Sequence, residues 1–116
     1  PMLQKNAKVS FPYYKDEKNP YIVIVLQSTI PNQSVKININ GSDVFESGFR
    51  NNSMFLVYQL KDFDKHEIEI NFEFEKEDIK SFGWKNKILG RKVKYSGAYT
   101  MCDIYSRDEL KKCFID

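Results

Sequence analysis

The sequence is poor in the residues from which most active sites and metal centres are built. It has one histidine, two cysteines and five scattered glycines among 116 residues. The cysteine spacing matches no zinc pattern that a single imidazole could complete, and no glycine-rich loop is present to cradle a phosphate. No serine lies in a G-x-S-x-G elbow that would pair with His66. We therefore expect no enzyme activity, no metal and no cofactor, with His66 an exposed residue where a strand starts.

Long apolar runs and a large excess of one charge are also missing. Eighteen basic and sixteen acidic side chains leave a net charge of +2, and this balance argues against nucleic acid or an anionic membrane as partner. No run approaches eighteen apolar residues, which a transmembrane helix would need, and the N-terminal residues do not resemble a signal peptide. The length and a hydrophobic content of 41% fit one domain over residues 1–116.

Alternation of apolar and polar residues predicts that most of the chain is β-structure. In residues 67–75 the apolar side chains Ile68, Ile70, Phe72 and Phe74 alternate with charged or polar ones, which is typical of a half-buried strand. A tight acidic turn joins this strand to residues 54–60. That preceding segment is apolar on nearly both faces, which predicts a central strand packed above and below.

Six further strands are predicted from the same kind of pattern, and the all-apolar run 21–26 is expected to be central. Between two of them, Asn40-Gly41 predicts a type I′ hairpin turn, because both residues accept positive φ. The other strands are expected at residues 7–11, 35–39, 43–49, 93–95 and 98–105. The lone Trp84 is interpreted as a core side chain closing one end of the fold.

The fold class predicted from these elements is all-β, an antiparallel sandwich of the transthyretin or Ig type with a short C-terminal helix. Ser106 and Glu109 form a capping-box pattern that predicts where this helix begins. The alternative is an α+β domain in which residues 76–82 form a full helix. Cys102 and Cys113 form either a disulfide that pins the helix to the last strand or two buried thiols.

Polar clusters allow several secondary interpretations. The glutamates of residues 67–75 are interpreted as a solvated strand face rather than a catalytic pair. Asp62, Asp64 and Glu67 offer too few ligands for a calcium loop. Three Asn-x-Ser triplets begin at residues 32, 40 and 51, all in predicted turns. Asparagine and serine are favoured in turns anyway, so the triplets only keep a glycosylated surface protein as an alternative.

The order of these features resembles the TssJ-type family, the small outer-membrane lipoprotein of type VI secretion systems. The resemblance spans residues 7–87 and is one of pattern: an all-apolar strand, a strand, a turn, a strand, and a tryptophan followed by a basic residue. The matching segments are residues 21–26, 55–60, 62–65 and 68–74, and Trp84-Lys85. The segment between Phe74 and Trp84 is longer than in that family, and the tail from Tyr99 onward has no counterpart there.

The resemblance implies a transthyretin-like sandwich at the periplasmic face of the outer membrane that anchors the large inner-membrane subunit of the secretion machine. In that family the loop between the first two strands contacts the protein partner, which here implies Tyr13, Tyr14 and Lys15. Both tyrosine rings are alternatively folded back on the sandwich edge. Membrane attachment is implied only through a lipid anchor on a cysteine preceding residue 1. The alternative function is a free-standing, secreted or surface-exposed Ig-like binding module, or a toxin-neutralising immunity protein.

Overall fold

The computed structural model describes residues 2–14 and 17–114, without the side chains of residues 113 and 114. Its secondary-structure elements are, in chain order, β1 (Met2–Leu3), β2 (Asn6–Pro12), β3 (Tyr21–Gln27), β4 (Ser34–Ile39), β5 (Ser42–Gly48), β6 (Ser53–Gln59), β7 (Glu67–Phe74), β8 (Asp78–Lys80), α1 (Gly83–Ile88), β9 (Val93–Tyr95), β10 (Gly97–Tyr105) and α2 (Arg107–Phe114).

Two four-stranded antiparallel sheets form the body of the fold. Sheet A has the strand order β1-β10-β3-β6, and sheet B has the order β2-β7-β4-β5. β8 and β9 pair separately as a small ribbon. The predicted all-β sandwich with a short C-terminal helix is therefore confirmed. Among the described residues, no helix has the length and apolar character needed to span a bilayer.

The core lies between the two sheets, and strand alternation explains which side chains enter it. On β7, every second residue is apolar and buried, and the residues between them face outward. β3 supplies Ile22, Ile24 and Leu26 to the same core from the opposite sheet. Both strands are central in their sheets, β3 between β10 and β6 and β7 between β2 and β4. The predictions for residues 21–26 and for the alternating strand 67–75 are thus confirmed.

The prediction of a central position for residues 54–60 is wrong. β6 lies at the edge of sheet A, where it pairs with β3. Its Met54 and Leu56 are buried, but Phe55 is 52% exposed and Val57 is also exposed. β6 and β7 also belong to different sheets, so the acidic turn between them crosses the sandwich and does not close a hairpin. An apolar pattern on both faces does not determine whether both faces are covered.

The helix expected in the α+β alternative at residues 76–82 is also wrong, because β8 occupies part of that segment and pairs with β9. The helix lies later, as α1, and it buries none of its residues. Trp84, predicted to close the core, is on this helix and is 71% exposed. Gly83 precedes it with φ +80°, a conformation that glycine adopts easily. Six residues are too few to present a buried face against the sandwich.

Local turn and cap chemistry agrees with the sequence. Asn40 and Gly41 have φ of 50° and 87°, as the predicted hairpin turn requires. Asn32 and Asn51, which begin the other two Asn-x-Ser triplets, also lie in turns with positive φ. The capping box is present: Glu109 N donates to Ser106 Oγ at 3.1 Å, and Ser106 N donates to Glu109 Oε1 at 3.2 Å.

A buried glutamine connects three segments near one end of the sandwich. Gln33 Nε2 donates to the carbonyl oxygens of Lys76 at 2.8 Å and Ser96 at 3.0 Å. Its Oε1 accepts from Lys76 N at 2.9 Å and Ser34 N at 3.2 Å. The side chain is 1% exposed, so these bonds replace water for four backbone groups that the strands leave unpaired.

Candidate interaction surface

Among the described residues, no serine, threonine or cysteine lines the depression at which His66 lies. His66 is exposed, just before β7, at a depression of about 320 Å³. The depression is lined by Tyr13, Tyr14, Phe63 and charged residues. No hydrogen bond reaches the imidazole from the part of the chain that the structure describes. A histidine that activates a side-chain nucleophile needs that nucleophile within hydrogen-bond reach.

The described acidic residues do not come together in a cluster that could bind a metal ion. Within residues 2–14 and 17–112, no three His, Cys, Asp or Glu side chains are placed to hold a metal ion together. Asp62 lies in a positive-φ turn, where its backbone N–H donates to Asn19 Oδ1 at 3.0 Å. The turn between β6 and β7 is therefore connected to the loop before β3 by hydrogen bonds of its own.

The three residues that were expected to contact a partner follow β2 in the loop that leads to β3, and the two tyrosines among them have different environments. Tyr13 is 4% exposed and packs its ring 5.0 Å from the ring of Phe63. Its backbone N–H donates to His66 O at 2.7 Å, and its hydroxyl donates to Glu17 O at 3.0 Å. The prediction that Tyr13 offers a contact surface is therefore wrong, since its ring is part of the core.

The neighbouring tyrosine has the opposite environment. Tyr14 is 86% exposed, as expected of a contact residue, and its role stays a prediction. Lys15, the third predicted contact, lies outside the described residues. The sequence could have separated the two tyrosines, because Tyr13 continues the alternation of Val9 and Phe11 along β2, whereas Tyr14 falls out of that register.

Cys102 is half-buried on the core side of β10, opposite Ile24 of β3. Burial, and secondarily the neighbouring Asp103 carboxylate, raise the pKa of its thiol to about 11. A thiol that stays protonated at neutral pH is a poor nucleophile. The side chain of Cys113 lies outside the described residues, so the disulfide between Cys102 and Cys113 stays a prediction.

The outer face of sheet B is a solvated face of the usual kind. Lys8 Nζ lies 3.1 Å from Glu69 Oε2, and Asn71 Nδ2 donates to Glu69 at 3.2 Å. The hydrogen bond from Asn71, together with Lys8, lowers the pKa of Glu69 below its usual range. Ser34 Oγ donates to Glu75 in the same way at 2.7 Å. The glutamates thus form the wet face that was predicted.

The outer face of sheet A is different, because it is largely apolar. Two rows of directly paired residues cross β6, β3 and β10 in that order. The first row is Val57, Val23 and Asp103. The second row is Phe55, Val25 and Met101. Side chains of directly paired residues lie on the same face. We call this surface the apolar face; its residues are Tyr21, Val23, Val25, Phe55, Val57, Met101 and Tyr105.

The apolar face is open to solvent on the β6 side. Val23, at its centre, is completely buried by its neighbours, whereas Phe55, Val57 and Met101 are exposed. Tyr105 Oη lies 4.0 Å from Met101 Sδ, which places these two side chains together on the same face. Since a sandwich needs only one apolar side per sheet, apolar residues on the second side of three adjacent strands have no role in the core.

Comparison of the chain with protein-family models, with curated proteins and with solved structures gave no significant match. No family is therefore shown for this chain. The candidate surface rests on its geometry alone, and the similarity to the TssJ-type family stays a prediction.

Proposed function

We propose that this chain is a non-enzymatic protein-binding scaffold and that the apolar face of sheet A is its contact surface. The observation that carries the proposal is the contrast between the two sheets. Sheet B presents the Lys8–Glu69 ion pair and hydrogen-bonded carboxylates to water, whereas sheet A presents valine, phenylalanine and methionine. Contiguous apolar surface of this kind on a soluble domain is characteristic of protein interaction sites.

Aromatic and sulfur-containing side chains give this face the composition of an interface centre. Phe55 and Met101 belong to the residue types enriched at interfaces, and Asp103 is the one charged residue in the two rows of paired side chains. Val57 is two residues from Phe55 on β6 and on the same face, so a partner that covers Phe55 also covers Val57. A charge introduced at Val57 would then be left without water or an opposite charge inside the complex.

The test compares two single substitutions that add the same charge to opposite sheets. Val57→Lys alters the apolar face, and Ser10→Lys alters the solvated face of sheet B, where Ser10 is exposed and pairs with Glu69. We expect Val57→Lys to weaken binding of the native partner about tenfold or more, the effect of one hot-spot residue. Ser10→Lys should bind like the wild type. Equal binding by both variants, at equal thermal stability, would exclude the apolar face.

A narrower proposal concerns the identity of the partner, and its support is the resemblance in strand pattern. In this form the chain acts at the periplasmic face of the outer membrane and anchors the inner-membrane subunit of a type VI secretion machine. Tyr14, highly exposed in the loop after β2, is its contact residue. Tyr14→Ala should reduce capture of that subunit with little change in melting temperature. Unchanged capture would remove Tyr14 from the interface.

The competing proposal is a free-standing Ig-like surface module or an immunity protein. The two differ in the native gene, because the lipoprotein requires a signal ending in cysteine upstream of residue 1. If that signal is missing, the secretion-anchor proposal fails, while the apolar face and its test are unaffected.

A further inference from the structure

The segment at residues 79–94 stands apart from the sandwich in charge and in exposure. It contains the end of β8, the helix α1 and the start of β9, and we call it the arm. The arm carries six basic and no acidic side chains, whereas the rest of the chain has twelve basic and sixteen acidic ones. The overall net charge of +2 therefore hides a strongly cationic arm on an acidic body. The basic residues are Lys80, Lys85, Lys87, Arg91, Lys92 and Lys94.

The arm also exposes several large apolar side chains. Trp84 is 71% and Ile88 is 73% exposed, and Leu89 is exposed beside them. Trp84 and Ile88 are four residues apart in α1 and therefore lie on the same side of the helix, one turn from each other. Lys85 and Lys87 flank this apolar pair. An aromatic and two aliphatic side chains are thus held at the surface among lysines.

The backbone of the arm is held in place by its own hydrogen bonds. Ser81 Oγ donates to Arg91 O at 2.7 Å, and Asn86 Nδ2 donates to Phe82 O at 2.8 Å. At its base, Lys80 Nζ lies 4.9 Å from the centre of the Tyr95 ring, and Phe82 packs edge-on to that ring. The exposed apolar residues are therefore displayed by a defined structure and do not belong to an unstructured loop.

We propose that the arm docks on the surface of an anionic lipid bilayer, with Trp84, Ile88 and Leu89 entering the interface and the lysines contacting phospholipid head groups. A tryptophan with aliphatic neighbours and a ring of lysines is the composition of interfacial membrane anchors. The inference is independent of the protein-binding proposal, since the apolar face and the arm share no residue.

Two other classes of anionic partner fit these observations less well. Five of the six cations are lysines, which are depleted at protein interfaces, where arginine is enriched. Single-stranded nucleic acid is bound by stacking on several aromatic rings. In the arm Trp84 is the one highly exposed ring, since Phe82 is 38% exposed and packs on Tyr95. A bilayer surface attracts lysine as a point charge and accommodates aliphatic side chains.

The experiment uses Trp84 itself as the probe, because it is the one tryptophan of the chain. The full chain is titrated with vesicles of phosphatidylcholine alone and with vesicles that also contain phosphatidylglycerol. We expect the anionic vesicles to shift Trp84 emission to shorter wavelength and to protect it from acrylamide quenching, an effect that added salt reduces. No shift and no protection with anionic vesicles would overturn the proposal.

Matched charge reversals test the location. Lys85→Glu/Lys87→Glu should lower vesicle affinity about tenfold or more. Lys111→Glu/Lys112→Glu changes the net charge equally on α2, which follows the far end of β10, and should bind like the wild type. If both pairs weaken binding equally, the attraction belongs to the whole molecule and the arm proposal is wrong.

Two soluble polyanions test the class of partner. Oligothymidylate and polyglutamate should leave Trp84 accessible to acrylamide even where they bind, because neither offers an apolar phase. Protection of Trp84 by oligothymidylate equal to that by anionic vesicles would assign the arm to nucleic acid and overturn the membrane proposal. Equal protection by polyglutamate would overturn it in favour of an acidic protein. Ile88→Ser/Leu89→Ser, which keeps all six cations, should still reduce the wavelength shift.

Discussion

Gly97, the first residue of β10, occupies a position where neither the backbone nor the core leaves room for a side chain. A Cβ built there would lie 2.9 Å from Gln27 O, and 2.9 and 3.1 Å from two ring carbons of Phe74. Gln27 is held in the ladder by its pairing with Ala98. The Phe74 ring is 1% exposed and stacks on the rings of Phe49 and Phe72. Neither neighbour can move away without disturbing other contacts.

Gly97→Ala should therefore destabilise the fold even though it adds a single methyl group. Overpacking a rigid core site costs about 1–3 kcal/mol. The lower conformational entropy of the unfolded chain offsets about 0.4–1 kcal/mol of this. We expect a net decrease of about 1–2 kcal/mol in the free energy of unfolding, with a fall in melting temperature of about 4 °C per kcal/mol.

Gly48→Ala is the matched control, because Gly48 also lies in a strand of the sandwich. A Cβ there would meet only Gln33 O, at 3.6 Å, an ordinary contact distance. Its expected effect is between no change and a gain of about 1 kcal/mol. Urea unfolding followed by circular dichroism measures both variants, with the slope m checked for constancy. If the two variants shift the urea midpoint equally, the close approach at Gly97 does not limit stability and the reasoning fails.

Two further predictions concern buried polar groups. Gln33→Leu keeps the side-chain volume roughly but leaves Lys76 N, Lys76 O and Ser34 N without their partner, so unfolding free energy should fall by about 3 kcal/mol or more. Ser96→Ala is its control, because the buried Ser96 Oγ has no hydrogen-bond partner among the described residues, and it should change urea stability by less than about 0.5 kcal/mol. The second prediction concerns Cys102, whose thiol pKa of about 11 lies above its usual value of 9.0. Below pH 9 the thiol is protonated in both states, and between pH 9 and 11 the unfolded chain ionises first, so stability is lost as pH rises. The test compares two chains that both carry Cys113→Ser, one with Cys102 and one without it. The unfolding free energy of the first relative to the second should fall by at most about 2 kcal/mol over this range, allowing for the partial exposure of the thiol. A constant difference would contradict the raised pKa. The disulfide is tested separately by titrating the thiols of the unfolded wild type without reducing agent. If the disulfide is present, no free thiol should be detected.

The longer strands and the turns could be predicted from the sequence, because each depends on local residues, whereas the short strands β1 and β8 were not predicted. On β7 the period-two alternation decides which face is buried, wherever the strand lies in the sheet. The Asn40-Gly41 turn and the Ser106 cap are likewise decided within four residues. Elements of this kind need no knowledge of the rest of the fold.

The position of each strand in the sandwich could not be predicted in the same way. β3 and β6 are both apolar on two faces, yet β3 is central and β6 is at an edge. Their order depends on which strands pair across the whole chain, and β10 reaches β3 from residues 97–105 at the far end of the sequence. The apolar face is a consequence of this pairing, since it joins three strands that are distant in sequence. Periodicity alone does not contain that information.

The arm could not be recognised from the net charge of the whole chain, because its six cations are balanced by acidic residues elsewhere. The six cations without an acidic neighbour are visible in the sequence when residues 79–94 are counted alone. The interpretation of Trp84 as a core residue concealed the same segment, since it assigned the most exposed aromatic of the arm to the interior. Only the backbone, with positive φ at Gly83 and a helix that buries nothing, shows that the segment leaves the sandwich.

The two exposed surfaces can be distinguished by their response to salt. The apolar face gains free energy by removing Phe55, Val57 and Met101 from water, a contribution that moderate salt leaves unchanged. The arm depends on six cations whose attraction to a charged surface is screened within about 10 Å at 0.1 M ionic strength. A partner that is released by salt therefore points to the arm, and one that is retained points to sheet A. Because Val57→Lys and Lys85→Glu/Lys87→Glu act on separate surfaces, each variant should weaken only its own class of binding. If either variant weakened both classes, the surfaces would act together.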